Sequence, residues 1–299
     1  MRISLVTPAG PGLRNGNRHT ALRWAAFLRA AGHRVSVSTE DMSSRADLML
    51  ALHARRSHSS IRAFSGKLVV ALTGTDIYRD LETSAEARES LALADRLIVL
   101  QPKALESVPA RFRRKVHVVV QSSASRLRHA PVRGGFRICV IGHLRDEKDP
   151  LRTLAALAHV EGDLEVVQIG ALLDPKLRPG TNDARYRWLG GLPHSRALRW
   201  LASSHAMVIS SRMEGGANVV CEAIRIGVPV LASRVDGNVG LLGARYPGYF
   251  AVGDERALAR LMARLREPGF YRTLKAQMAR LRPMVDPRSE ARALLRAVL

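Results

Sequence analysis

Two carboxylates, Glu214 and Glu222, stand eight residues apart in Ser-Ser-Arg-Met-Glu-Gly-Gly-Ala-Asn-Val-Val-Cys-Glu, residues 210–222. An apolar run ends at Val208–Ile209, which predicts a buried strand stopping at Ser210–Ser211. A helix pattern follows from about Ala217 to Ile226; Gly227 and Pro229 close it, and Val228–Ala232 reads as the next strand. Gly215 and Gly216 make the loop between strand and helix, and the amides continue through Ala217, Asn218 and Val219. Such a loop, with the positive end of a helix dipole behind it, is a ready site for phosphate. Glu222 falls four residues after Asn218 on the same helical face, and Glu214 precedes the turn. A carboxylate touching phosphate would repel it. The pair makes better sense as acceptors for hydroxyls to either side, one suited to a sugar and the other to a ribose.

Other residues with chemistry cluster at the ends of predicted strands. Gly142-His143-Leu144-Arg145-Asp146-Glu147-Lys148 follows the strand Arg137–Ile141. Gly10, Gly12 and Gly16, with Asn17 and Arg18, make a loop between the first strand and the first helix. Leu72-Thr73-Gly74-Thr75-Asp76 ends the fourth strand, and His53-Ala54-Arg55-Arg56 ends its neighbour. A lone histidine at a strand end is more often structural than chemical. Two arginines beside it suit a phosphate-bearing acceptor through forked hydrogen bonds.

The elements that must position these residues alternate between strand and helix, which predicts an α/β protein with parallel sheets. In the first half the strands read as Ile3–Val6, Val35–Ser38, Leu48–Leu52, Leu68–Leu72, Leu97–Leu100 and Val116–Val120. An amphipathic helix is expected over Thr20–Ala31, closed by Gly32. Residues 121–135 lose the pattern and carry Ser, Arg, Pro and a Gly-Gly pair, as a linker would. A second set then reads as Arg137–Ile141, Val166–Ile169, Tyr186–Leu189, Ala206–Ile209 and Val228–Ala232, with Asp149-Pro150 as an expected N-cap and first helical residue. From Asp254 the tail is helical by periodicity, broken near Pro268 and Pro283. The expected division is a Rossmann-like domain over 1–125, another over 126–282, and a closing helix over 283–299 that packs back on the first domain. Carboxyl ends of strands from both halves are expected to line a cleft.

Composition removes several function classes. The formal net charge of +21 invites a nucleic-acid reading, but residues 1–135 carry +12 and the remainder +9, so the excess is spread and not gathered in a stripe. Aromatic residues are only 5%, too few for base-stacking platforms, and no specific nucleic-acid partner is expected. No apolar run reaches the roughly 18–20 residues that span a bilayer. Cys139 and Cys221 are the only cysteines, which supports neither a disulfide framework nor a zinc site and makes a reducing, cytoplasmic setting the expectation.

The Glu-x7-Glu spacing resembles the signature of retaining glycosyltransferases of family 4, which have the GT-B fold. By that resemblance Glu214 would hold the transferred sugar and Glu222 the ribose of the nucleotide. Gly142–Lys148 is similar to the Gly-Arg-Leu-x-x-x-Lys segment whose Arg and Lys clamp the donor diphosphate in that family. Lys148 matches; His143 stands where Arg is usual, and Arg145 or Arg212 would supply the missing charge. Cations plus helix amides can stabilise a departing diphosphate without a metal. No Asp-x-Asp is present, so metal independence is expected and no cofactor is implied. The family's glycine loop after the first strand sits near the reacting sugar, which would place Gly16 there. Thr73 replaces a His that often stands close to the transferred sugar.

A narrower likeness joins five segments: Asn-Gly-Asn-Arg at 15–18, Ala-Leu-His-Ala-Arg-Arg-Ser at 51–57, Thr-Gly-Thr-Asp-Ile-Tyr-Arg-Asp at 73–80, Glu-Gly-Gly-Ala-Asn-Val-Val at 214–220, and Gly-Leu-Leu-Gly-Ala-Arg-Tyr-Pro-Gly-Tyr-Phe at 240–250. Together these resemble the selenosugar synthases of selenoneine biosynthesis (SenB type). The resemblance implies UDP-N-acetylglucosamine or UDP-glucose as donor and selenophosphate as acceptor, with a 1-seleno-sugar, UDP and phosphate as products. Gly16, Asn17, Arg18, His53, Arg55, Thr75 and Asp76 would then face the acceptor, and Lys148, Glu214, Gly16 and Thr73 the reacting centre. Two other readings stay open: a conventional glycosyltransferase with a hydroxyl or lipid acceptor, and an inactive UDP-sugar sensor.

Overall fold

The structure, a computed structural model, describes residues 1–12, 15–40 and 46–299. The chain forms two compact units. The first comprises Met1–Gln121, Gly215–Asn218 and Pro287–Leu299; the second comprises Ser122–Glu214 and Val219–Asp286.

Runs such as Leu48–Leu52 are apolar at every position, so such a strand must be covered on both faces. In the first unit it is. Strands β1 (Arg2–Val6), β2 (Arg34–Ser38), β3 (Leu48–Leu52), β4 (Lys67–Leu72), β5 (Arg96–Val99) and β6 (Val116–Val118) form a six-stranded sheet in the order β2-β1-β3-β4-β5-β6. Every pairing in it is parallel. Alternation along the strands splits the core. Ile3, Leu5, Leu48, Leu50 and Val69 pack with Trp24 and Leu28 of the helix Gly16–Ala30 and with Leu294 and Val298 of the helix Pro287–Val298. Val6, Met49, Ala51, Val70 and Leu72 face the opposite layer with Ile61, Leu81 and Leu91. The first helix starts at Gly16, not Thr20. Asn15 caps it, its side-chain oxygen accepting from the Arg18 amide at 3.0 Å.

In the second unit β7 (Phe136–Ile141), β8 (Leu164–Ile169), β9 (Tyr186–Trp188), β10 (Ala206–Ile209), β11 (Val230–Ser233) and β12 (Tyr249–Phe250) form another parallel sheet, ordered β12-β11-β10-β7-β8-β9. The two-residue β12 was not legible in the sequence, being too short to carry a period. Val228 lies outside β11 because its amide turns back to the Ala223 carbonyl at 2.9 Å, closing the preceding helix over Gly227 at φ +93°. The expected cap at Asp149 is corrected as well. Asp149 is left-handed (φ +42°) at the end of the short turn Asp146–Lys148, and the helix Arg152–Leu157 begins three residues later. Its carboxylate instead takes the Arg152 Nε at 2.9 Å. The irregular stretch after residue 121 is tied to the second unit: His129, Ala130 and Val132 donate their amides to the carbonyls of Ile226, Ala202 and Ser203. No helix among the described residues is long and apolar enough to cross a membrane.

Candidate active site

In a parallel α/β sheet, ligands gather where strand order reverses, at the carboxyl ends of the two strands flanking that point. In the second unit the reversal lies between β7 and β10, which pair through Val140 and Val208. The loops leaving these strands carry Gly142–Lys148 and Ser210–Glu214. A pocket forms there, lined by Gly142, Lys148, Pro150, Gln168, Ser210, Ser211 and Glu214. Lys148 Nζ donates to Glu214 Oε1 at 2.5 Å, and Ser211 Oγ donates to the same oxygen at 2.5 Å. Glu214 is buried, 7% exposed. Its Oε2 takes no hydrogen bond from the described residues.

Backbone ties hold this arrangement from below. Ser210 Oγ donates to the Asp149 carbonyl at 2.8 Å, and Ser233 Oγ to the Ser211 carbonyl at 2.6 Å. Asn238 Nδ2 donates to the Ser233 carbonyl at 2.9 Å. The helix Asp236–Leu242 presses so closely that a methyl group at Gly237 would lie 2.0 Å from the Glu214 carbonyl oxygen. Only glycine fits there. Ser211, Ser233 and Asn238 were not assigned from the sequence, because a serine at a strand end carries no signal until its neighbours are known.

The other expected donor-side residues are more scattered. Glu222, on the helix Asn218–Ile226, accepts from His194 Nε2 at 2.7 Å, so the two glutamates bond different partners. His143 Nδ1 accepts from the Ala171 amide at 3.1 Å. Arg145 is exposed, 4.0 Å from Glu147. Arg212 is also exposed and lies 3.7 Å from Asp149. Arg145 and Arg212 thus lie beside Glu147 and Asp149, and among the described residues that line the pocket the cation is Lys148.

Gly215–Asn218 packs within the first unit. A methyl group at Gly215 would stand 2.3 Å from the Thr73 carbonyl oxygen, so close packing on Thr73–Gly74 demands this glycine. Asn218 Oδ1 accepts from Arg23 Nη2 at 3.1 Å, and Arg23 Nε pairs with the buried Glu290 at 2.8 Å. Trp24 Nε1 donates to the other Glu290 oxygen at 2.7 Å. Neither Arg23 nor Glu290 was singled out in the sequence.

The first sheet reverses order between β1 and β3. Gly16, Asn17 and Arg18 open the helix after β1, Gly16 exposed and the other two partly so. His53, after β3, is 2% exposed and left-handed at φ +74°, a costly conformation for a residue other than glycine. Its Nε2 lies 2.9 Å from Thr75 Oγ1, and burial holds its pKa below the ordinary imidazole value. Asp76 is fully buried, accepting from the amides of Thr73 at 2.9 Å, Gly74 at 2.7 Å and Ala54 at 3.1 Å. Its carboxylate thus ties the ends of β3 and β4 together. Asp80, also buried, receives Arg55 Nε at 2.8 Å on one oxygen and Arg79 Nε at 3.2 Å on the other. Both arginine side chains remain over 40% exposed. One buried carboxylate therefore holds two guanidinium groups at the surface, and Arg79 joins the expected Arg55.

Residues 135–267, a little under half of the chain, match the family model described as "Glycosyl transferases group 1". Solved structures resemble the whole chain. Sucrose-phosphate synthase from Thermosynechococcus elongatus aligns at 17% identity and a TM-score of 0.79, covering 99% of this chain and 98% of its own. HepE from Anabaena, in complex with UDP-glucose, aligns at 15% identity and 0.77, covering 99% and 98%. A glycosyltransferase from Rickettsia africae aligns at 11% identity and 0.71, covering 99% and 97%. At such identities the likeness is one of fold. The match to the group 1 model is thus confined to residues 135–267, and the two six-stranded parallel sheets with their flanking helices give the chain the GT-B fold.

Proposed function

We propose that this protein is a selenosugar-forming glycosyltransferase that uses a UDP-sugar donor and selenophosphate as acceptor. The observation that carries the donor half is the Lys148–Glu214–Ser211 cluster at the switch point of the group 1 domain. In this reading Lys148 and the amides of Gly215–Val219 bind the diphosphate and receive the charge that develops on it. Glu214, with one oxygen held by Lys148 and Ser211, offers the other to sugar hydroxyls. Glu222 takes the ribose. The complex of HepE with UDP-glucose supports a UDP-sugar donor for this fold.

The acceptor half rests on the five sequence segments quoted above and on the arginine pair held by Asp80. Selenophosphate is a small polyanion with a strongly nucleophilic selenium, so it needs charge neutralisation and orientation more than a general base. Selenium forms the bond to the sugar C1 as the C1–O bond to the diphosphate breaks, its electron pair leaving on the β-phosphate oxygen. Water then cleaves the Se–P bond, releasing phosphate and the 1-seleno-sugar.

The test is UDP release, followed by mass spectrometry, with UDP-N-acetylglucosamine or UDP-glucose and selenophosphate, thiophosphate or phosphate, all in excess EDTA. The expected result is a selenium-containing sugar from selenophosphate, with thiophosphate competing. Efficient transfer to an ordinary alcohol would favour a conventional glycosyltransferase. Absence of turnover despite UDP binding would favour a sensor, and activity restored only by added magnesium or manganese would end the metal-free reading.

A further inference from the structure

His194 opens the nine-residue helix His194–Ala202 and has no place in the roles assigned so far. Its Nε2 stands 2.7 Å from Glu222 Oε1, joining two helices across 28 residues of sequence. The histidine side chain is 51% exposed and the glutamate only 14%. Glu222 Oε2 takes no hydrogen bond from the described residues, so one oxygen is tied and the other is open.

A glutamate has three rotatable side-chain bonds, and holding it in one geometry costs conformational entropy. A donor fixed on Oε1 meets that cost before any ligand arrives. We infer that His194 is the positioning residue for Glu222: its N–H orients the carboxylate so that Oε2 meets the ribose hydroxyls of the bound nucleotide. The inference rests on the proposed ribose role of Glu222 and adds the residue that makes the contact selective. His194 itself need not touch the nucleotide.

Binding of UDP and 2′-deoxy-UDP, measured by calorimetry, tests this. The parent protein is expected to prefer UDP by roughly tenfold, as a hydroxyl bonded to a carboxylate warrants. His194→Ala should shrink that preference to about twofold or less, with UDP weakened and 2′-deoxy-UDP nearly unchanged. His194→Gln, whose amide N–H can stand near the place of Nε2, should restore most of it. In a Glu222→Ala background, His194→Ala should have no further effect on UDP affinity.

The outcomes separate the two ideas. If the parent binds both nucleotides equally, Glu222 does not read the 2′-hydroxyl, and this inference falls with that contact. If the parent discriminates and His194→Ala discriminates as well, the positioning role is wrong while Glu222 keeps its own. A further loss in the Glu222→Ala background would make His194 a direct contact, which also overturns the positioning role. Circular dichroism of the exposed-site variants checks that they fold.

Discussion

Glu214 is a carboxylate with one oxygen already doubly bonded, to Lys148 and Ser211, whereas Glu222 is held once, by His194. The difference gives the two residues separable effects. Glu222→Ala should weaken UDP itself, because the ribose is present with or without the sugar. A bond to a charged acceptor is worth about 1.5–3 kcal/mol, so the loss should be roughly ten- to a hundredfold. Glu214→Ala should leave UDP binding near the parent value while impairing use of the UDP-sugar. Calorimetry with UDP, beside steady-state kinetics with the UDP-sugar, checks both; parent-like UDP binding in Glu222→Ala would refute its role. On the acceptor side, Arg55→Ala should raise the KM for selenophosphate by about ten- to a hundredfold, with the donor KM little changed. Arg55→Lys should recover only part, since an ammonium cannot reproduce the guanidinium fork. An unchanged acceptor KM would remove Arg55 from the acceptor site.

At the scale of elements, the loops at the strand ends are held by buried polar groups whose removal should be felt as stability. Asp76 accepts from three backbone amides at the ends of β3 and β4. Each amide left buried without a partner costs about 1–3 kcal/mol, so Asp76→Ala should destabilise the first unit by at least about 3 kcal/mol in urea unfolding. His129 does comparable work in the second unit. Its Nε2 bonds the Ser204 carbonyl at 2.8 Å, and Lys275 Nζ stands 2.9 Å from its Nδ1. Burial and the Lys275 ammonium lower its pKa from 6.5 to about 4. The folded state therefore keeps this ring neutral where an unfolded chain would protonate it. The stability it contributes is complete above about pH 6.5 and declines as pH falls toward 4, by about 2–3 kcal/mol after allowing for partial exposure. Urea midpoints at pH 7 and pH 4.5 should show the decline, and His129→Gln should flatten it. An equal slope in that variant would assign the pH dependence to other groups.

For the whole molecule the dominant quantity is the net charge of +21, spread over both halves of the sequence. A field of that size attracts any polyanion without selecting among them. The chain should bind unrelated DNA and RNA at low salt with no sequence preference. Affinity should fall steeply between about 50 and 200 mM salt as counterions are released. Gel-shift titrations across that range check it. Binding that persists at 200 mM with a preferred sequence would contradict the reading that the charge serves small anionic substrates. The KM for those substrates should rise over the same range, since screening shortens the reach of the field.

Much of this was legible in the sequence because it is encoded locally. Apolar-rich runs, continuous in the central strands and interrupted in β2, β6 and β9, marked eleven of the twelve strands among the described residues within a few residues, and glycine and proline marked several of their ends. The glycine loop before Asn218 was visible for the same reason: strand, glycine pair and helix are contiguous in the chain. Asn15 as a cap and Val228 as a turn residue were missed, since each depends on a hydrogen bond that periodicity does not carry. Partnership was decided only by the tertiary structure. Lys148 meets Glu214 across 66 residues, and Arg55 meets Asp80 across 25. Those meetings depend on β7 lying beside β10 and β3 beside β4. The order of strands in a parallel sheet is set by crossovers and by packing on both faces, and no short stretch of residues encodes it.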